Sequence, residues 1–202
     1  MVYAARTAKL AFIVNVVLNG KHEIIGSFAG DMEKAHEVGC NFVKKLASVK
    51  KIDCDIAITT NGGAPLDQNI YQAVKGMTAA EATVKEGGVI ICCCACGDGH
   101  GGEGFYHNIA DVKEAREFEE IAINTPRLET VPDQWTAQIF ARILSHYHVI
   151  MVSDQVDAKL VTDMHMQLAR TMDEGIKKAY EIMGKDAKVV VIPDGLGVVV
   201  EN

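Results

Sequence analysis

Residues 55–77 read DIAITTNGGAPLDQNIYQAVKGM, a pattern that predicts a buried strand, a glycine turn and then a helix. The turn at Asn61, Gly62 and Gly63 would leave backbone N–H groups free where the helix begins. A helix N-terminus carries unpaired donors and partial positive charge. This stretch therefore predicts a site for an anion, such as a carboxylate or a phosphate, at the end of the strand.

The predicted helix carries two polar residues, Gln72 and Lys75, three positions apart. Residues at this spacing lie on one helical face, so a neutral hydrogen-bonding group and a cation stand side by side. They are the strongest candidates for binding a ligand. Spacing alone leaves a second interpretation open, in which Lys75 is an ordinary solvated lysine.

The composition of the 202 residues limits the kinds of partner that the chain can have. Its net charge of −7 argues against nucleic acid, because phosphate binding needs a basic surface. The sequence has no apolar run of membrane-spanning length and no signal-peptide pattern, so we expect no membrane partner and a cytoplasmic location. Six cysteines without disulfide spacing fit a reducing compartment.

From residue 53 onward, apolar runs of strand length alternate with segments of helical spacing. This order predicts an α/β fold, with a mainly parallel sheet and helices on both faces. The predicted strands cover residues 54–59, 89–95, 149–152 and 188–193. The predicted helices cover residues 66–85, with a break near Gly76, then 111–120, 133–147 and 171–183.

The first 50 residues have a different pattern from the rest of the chain. Asn19-Gly20 between two apolar runs predicts a β-hairpin, and Asp31 is the predicted N-cap of a linker helix over residues 31–49. This opening resembles a piece of a longer polypeptide, so we assign residues 1–50 to a domain remnant and 51–202 to the main domain. The hairpin's open edges predict a homodimer, which light scattering would test.

Three loops are expected to meet at the carboxyl edge of the sheet, where ligands bind in open parallel sheets. They cover residues 60–63, 97–103 and 153–154, and the second contributes Asp98 and His100 as candidate cleft residues. Its glycine density suits either a ligand loop or a flexible connection. His100, Glu103 and His107 suggest metal ligation or acid/base chemistry, but their spacing supports no metal site, so no metal ligand is predicted.

Two further features admit both a structural and a functional interpretation. Cys92, Cys93, Cys94 and Cys96 lie in or beside the most apolar predicted strand, so core packing is favoured over a metal site. Cys96, at the strand end, is the one expected to reach the cleft. Trp135, the only tryptophan, begins an amphipathic helix and fits either the core or a ligand-contacting role.

Three motifs together resemble the C-terminal part of the nickel-dependent lactate racemase family. They are N-G-G-x-P-L-D-Q-N-x-Y-Q-A-x-K-G-M from Asn61, D-G-H-G-G-E-x-F from Asp98, and V-x-V-I-P-D-G from Val189. The first is long and specific, and the resemblance extends over essentially the whole chain. The hairpin and linker helix resemble the end of that family's N-terminal catalytic domain.

The resemblance implies an enzyme with its active site between two domains, which interconverts the enantiomers of a 2-hydroxy acid such as lactate. A nickel-pincer nucleotide accepts and returns a hydride, and two histidines of the N-terminal domain move the hydroxyl proton. By motif, Gln72 and Lys75 match the family's substrate-contacting glutamine and lysine. Trp135 matches its cleft tryptophan by distance along the chain.

The resemblance also places the nickel ligands, the cofactor lysine and both catalytic histidines on the N-terminal domain. We therefore expect this chain alone to bind no cofactor and to be inactive, with its own N-terminal catalytic domain as a partner. The alternative is a non-catalytic α/β domain that binds a small anion or has a regulatory role.

Overall fold

The computed structural model describes residues 1–201, and the chain divides into two compact units. One comprises Met1–Val49 with Glu201, and the other comprises Lys50–Val200. No helix within residues 1–201 combines the length and the apolar character that crossing a bilayer requires.

Helices and strands alternate along most of the chain, as the apolar pattern predicts. The helices are α1 (Val2–Thr7), α2 (Met32–Ala47), α3 (Ile70–Glu81), α4 (Glu103–Ala110), α5 (Ala115–Asn124), α6 (Gln134–His146), α7 (Ala158–Asp163) and α8 (Met172–Met183). The strands are β1 (Ile13–Leu18), β2 (Ile24–Gly30), β3 (Ser48–Lys50), β4 (Cys54–Thr60), β5 (Val84–Cys93), β6 (His148–Val152), β7 (Gln167–Ala169), β8 (Val189–Ile192) and β9 (Val199–Glu201).

The first unit contains the predicted hairpin and linker helix. β1 and β2 pair antiparallel, and the Asn19 side chain closes their turn by accepting from Lys21 N and Glu23 N. The Asp31 carboxylate caps α2, as predicted. Val14 and Val16 on β1 stay exposed, which is compatible with pairing between copies, and the homodimer stays a prediction.

The second unit is built on a five-stranded sheet in the order β7-β6-β5-β4-β8, with every neighbouring pair parallel. One face packs against α3, α6 and α7, whose core α4 and α5 join, and the other face packs against α8, so the predicted fold class is confirmed. Val89, Ile90 and Ile91 at the centre of β5 are fully buried, since a strand covered on both faces must be apolar throughout.

Several predicted boundaries are wrong. The helix predicted over residues 66–85 begins at Ile70, capped by Asn69, and runs through Gly76 without a break. The helix predicted at 111–120 is replaced by α4 and α5. The sequence did not predict α7 and β7, because elements of six and three residues are too short to show a period.

The sheet order creates a topological switch point at β4. From β4 the chain adds β5, β6 and β7 on one side, and then returns to place β8 on the other side. At the carboxyl ends of the two strands, Thr60 Oγ1 donates to Pro193 O at 2.6 Å and Gly195 N donates to Thr60 O at 3.0 Å. Ligands of open α/β sheets bind at such a point.

Two glycines let α3 approach this switch point closely. A Cβ on Gly76 would lie 2.7 Å from Thr60 O, and one on Gly195 would lie 2.5 Å from Gly76 O. Neither glycine could carry a side chain without a shift of the backbone. Because Lys75 directly precedes Gly76, this contact also fixes the position from which the Lys75 side chain extends.

We expect Gly76→Ala to destabilise the fold by about 1–3 kcal/mol, the usual cost of overpacking, although alanine favours a helix over glycine by about 1 kcal/mol. Equilibrium urea unfolding followed by circular dichroism measures the change. Gly104→Ala on α4 is the control, because its Cβ would lie 3.6 Å from Pro132 O, an ordinary contact. Equal stability of the two variants would contradict the close approach.

Candidate functional site

The N-terminus of α3 is not free to bind an anion, so the predicted mechanism for that site is wrong. The N–H groups of its first three residues donate to Gly99 O, His100 O and Asn69 Oδ1 at 3.0, 3.1 and 3.0 Å. The turn at Asn61–Gly63 lies seven residues before the helix begins. The protein itself therefore uses the donors that the sequence assigned to a ligand.

The turn at Asn61–Gly63 makes internal contacts that stabilise the end of β4. Asn61 is fully buried and its amide donates to Leu66 O, while Gly62 N donates to Thr60 Oγ1 at 3.2 Å. A Cβ on Gly62 would lie 3.5 Å from Asp194 Oδ1, so the turn runs beside the chain that follows β8. Gly63 has open space around it.

Gln72 and Lys75 lie together on α3, as their spacing predicted. Lys75 Nζ donates to Gln72 Oε1 at 2.6 Å. This bond orients the amide so that its NH₂ group stays available, together with the remaining ammonium hydrogens of Lys75. The pair therefore offers several adjacent donors and one positive charge, which is the arrangement that a carboxylate prefers.

Trp135 stands at the start of α6, with 57% of its surface exposed. Its ring meets Tyr71 edge-on at 6.3 Å, and Tyr71 meets the buried Phe105 in the same way at 5.3 Å. The indole is thus held from beneath by aromatic packing and is open on its outer side. This placement excludes the core interpretation of Trp135.

Lys75 and Trp135 line the same pocket, which has a volume of about 280 Å³. Most of its walls are apolar, and two threonines are among the lining residues. The other lining residues are Val74, Thr78, Thr136, Ile139, Gly195, Leu196 and Val198. Gln72 is not among them and joins the site through its hydrogen bond to Lys75. A cation in an apolar pocket suits a small anion with an apolar substituent.

The glycine-rich loop supports α3 and does not line this pocket. Besides the two carbonyls that cap the helix, Asp98 N donates to Gln68 O at 2.9 Å. His100 stacks on Tyr106 with ring centroids 5.1 Å apart, and its Nδ1 accepts from Gly102 N. The loop thus positions the helix that carries Gln72 and Lys75.

His100 and His107 also lie close to the exposed carboxylates of this region. Glu103 lies 3.5 Å from His100 and 3.6 Å from His107, and His107 also pairs with Asp111. Within residues 1–201, no three His, Cys, Asp or Glu side chains are grouped so as to hold a metal ion. Cys96 is fully buried, so the expectation that it reaches the cleft is wrong.

Two contributions to the pocket were not predicted from the sequence. Residues of the segment from Gly195 to Val198 form one wall of the pocket. The sequence showed a P-D-G motif that ends at Gly195 but assigned no function to it. Tyr71 supports the indole of Trp135 from the residue next to Gln72. The one signal for this role in the sequence was that Tyr71 is an aromatic residue next to Gln72, a predicted ligand contact.

A parallel α/β sheet with a cationic, apolar-walled pocket at its switch point defines a domain suited to small organic anions. Residues 49–200 match the family model described as the lactate racemase C-terminal domain, and the chain belongs to this family. The family membership confirms the resemblance found in the motifs.

Two relatives of the chain are named lactate racemase. A lactate racemase from Lactiplantibacillus plantarum is 73% identical over 201 residues, and one from Thermoanaerobacterium thermosaccharolyticum is 52% identical over 202 residues. Each comparison covers 100% of this chain and 47% of the relative. The solved lactate racemase apoprotein from T. thermosaccharolyticum matches with a TM-score of 0.94 at 50% identity, covering 100% of this chain and 48% of that one. The chain spans about half the length of these relatives.

Because Trp135 is the chain's only tryptophan, its fluorescence reports on the pocket. We expect iodide to quench it more efficiently than neutral acrylamide at low salt, because Lys75 attracts anions. Lys75→Met should lower the ratio of iodide to acrylamide quenching constants about two-fold, an effect that added salt removes. Lys177→Met, on the exposed face of α8, is the control and should leave the ratio unchanged. An unchanged ratio in Lys75→Met would contradict the proximity of the two side chains.

Proposed function

We propose that this chain is the substrate-holding part of a 2-hydroxy acid racemase of the lactate racemase type. The observation that carries the proposal is the pairing of Lys75 Nζ with Gln72 Oε1 beside a pocket that also contains Trp135. The family membership and the names of the relatives support it. We infer that the substrate's carboxylate binds to Lys75 and the Gln72 amide, which together supply charge and direction.

The remaining groups of the pocket account for the other parts of such a substrate. Ile139 and Val198 form apolar walls that would enclose the substituent on C2, and Trp135 would close the open side. Holding the carboxylate and the substituent at two points fixes the direction of the C2–H bond. This orientation is the chain's contribution to a hydride transfer, since reacting atoms must be aligned as well as close.

We infer that this chain does not itself supply the metal ligands for the nickel-pincer nucleotide that the family resemblance implies. The part that the structure describes, residues 1–201, has no cluster of three suitable side chains for a metal ion. We therefore propose that the cofactor is held elsewhere in the full-length protein. Residues 1–50 would then be the end of an N-terminal catalytic domain, and residues 51–202 the C-terminal domain that acts with it.

The first test is Lys75→Met in the full-length protein loaded with its cofactor. A hydrogen bond to a charged group contributes about 1.5–3 kcal/mol, so kcat/KM for lactate should fall about 10- to 150-fold while the circular dichroism spectrum is retained. Lys177→Met is again the control. Gln72→Glu should also raise KM, because its carboxylate would pair with Lys75 and repel the substrate.

Two outcomes of this experiment separate the proposal from its alternatives. Kinetics unchanged by Lys75→Met would refute the role given to the lysine. Retained turnover together with lost binding of lactate to this chain would favour a non-catalytic domain that binds small anions.

Pocket size provides a second test. We expect Ile139→Ala to enlarge the wall that faces the C2 substituent, raising kcat/KM for 2-hydroxy-4-methylpentanoate relative to lactate about 10-fold, since a change of one or more methylenes is worth about 1–3 kcal/mol. Competition between the two acids measures this ratio directly. Ile121→Ala, on the exposed surface of α5, should leave it unchanged. No change in the ratio for Ile139→Ala would place the substituent elsewhere.

A further inference from the structure

The pocket of Lys75 is a groove between two helices, and each helix contributes three residues at the positions i, i+1 and i+4. These residues are Val74, Lys75 and Thr78 on α3, and Trp135, Thr136 and Ile139 on α6. Positions with this spacing lie within about 100° of each other around a helix axis. Each set therefore belongs to one face, and the two faces border the same open space.

Burial separates the floor of this groove from its rim. Val74 and Thr136 are each 1% exposed and lie at the floor. Lys75 and Trp135 are exposed and lie at the rim, while Ile139 is half-buried between the two levels. A ligand that enters past the lysine and the tryptophan therefore comes to rest against Thr136.

The hydroxyl of Thr136 is buried and has no hydrogen-bond partner within residues 1–201. Two other buried threonines are bonded. Thr59 Oγ1 donates to Gly76 O at 3.1 Å. Thr83 Oγ1 donates to Ala79 O at 3.0 Å. A buried hydroxyl without a partner destabilises the folded protein, and valine has the same shape without this penalty. The floor of the pocket thus carries a polar group that the domain itself does not use.

Rotation about χ1 lets this hydroxyl face the groove. The rotation exchanges the hydroxyl with the methyl group, and threonine in a helix occupies two χ1 rotamers. Because Thr136 lies on the face of α6 that lines the pocket, no movement of the helix is needed. Thr78, the second threonine of the pocket, already donates its hydroxyl hydrogen to Lys75 O at 2.7 Å. Thr136 is therefore the threonine with a hydrogen to donate.

We propose that Thr136 determines specificity by donating a hydrogen bond to the oxygen on C2 of a bound 2-hydroxy acid. This inference rests on the proposed function, in which Lys75 and Gln72 hold the carboxylate. The oxygen on C2 is one bond removed from the carboxylate-bearing carbon and can accept a hydrogen bond. An acid without this oxygen leaves the hydroxyl unpartnered, and such a loss is what a polar site discriminates against.

The test compares lactate with propionate, which has the same carbon skeleton but no oxygen on C2, in the full-length protein loaded with its cofactor. A neutral hydrogen bond is worth about 3- to 10-fold in binding. We expect Thr136→Val to lower kcat/KM for lactate by this factor and to leave the inhibition constant of propionate unchanged. Thr136→Ser keeps the hydroxyl and should restore kcat/KM. If the valine variant does not fold, Thr136→Ala and Thr136→Ser differ only in the hydroxyl and give the same comparison.

Urea unfolding separates this role from a structural one. Thr136→Val should not lower the urea midpoint, because the free protein loses no hydrogen bond. Thr83→Val is the matched control, since it removes a buried threonine hydroxyl that is bonded. It should lower the urea midpoint and leave kcat/KM for lactate unchanged.

Three results would overturn the role of Thr136. They are an equal effect of Thr136→Val on lactate and propionate, no effect on either acid, and a failure of Thr136→Ser to restore kcat/KM. Lys75→Met distinguishes this failure from that of the proposed function, because both acids carry a carboxylate. If Lys75→Met weakens both acids and Thr136→Val weakens neither, only the role of Thr136 is refuted. If Lys75→Met changes neither acid, both proposals are wrong.

Discussion

The contact between the backbone of α3 and the end of β4 determines how this domain forms a site. Gly76 lies against Thr60 O, and Gly195 lies against Gly76 in turn. Three segments that are distant in sequence thereby meet without an intervening side chain. The pocket follows from this contact, because it brings Lys75 beside the wall formed by Gly195 and the residues after it. A bulkier residue at either glycine would separate the cation from that wall.

The proposed site would use side-chain donors, because the backbone donors of α3 are already engaged. Carbonyls of the glycine-rich loop accept hydrogen bonds from the first N–H groups of the helix, so the protein itself stabilises the positive end of the helix dipole. The positive charge of the pocket comes from Lys75, one turn further along. A lysine oriented by Gln72 can bind a carboxylate with more directional control than a helix end, because two different groups share the contact.

The sequence predicted what depends on short-range periodicity. The apolar run of β5 gave a buried central strand, and the three-residue spacing of Gln72 and Lys75 gave their common face. The start of α3 was missed because an irregular segment separates the Asn61 turn from the Asn69 cap, and the glycines in that turn suggested an immediate helix. The wall at Gly195 and the packing of Tyr71 under Trp135 are long-range contacts, which no local pattern encodes.

The end of β4 also makes contacts with the chain on both of its sides. Thr60 bonds to the chain after β8 on one side, while the next residue, Asn61, donates its N–H to Cys94 on the other. Parallel strands end at one edge of the sheet, so the residues after β4 can contact those that follow both β8 and β5. The end of β4 therefore holds the segment after β8 in place, and that segment carries the wall at Gly195 that lies beside Lys75.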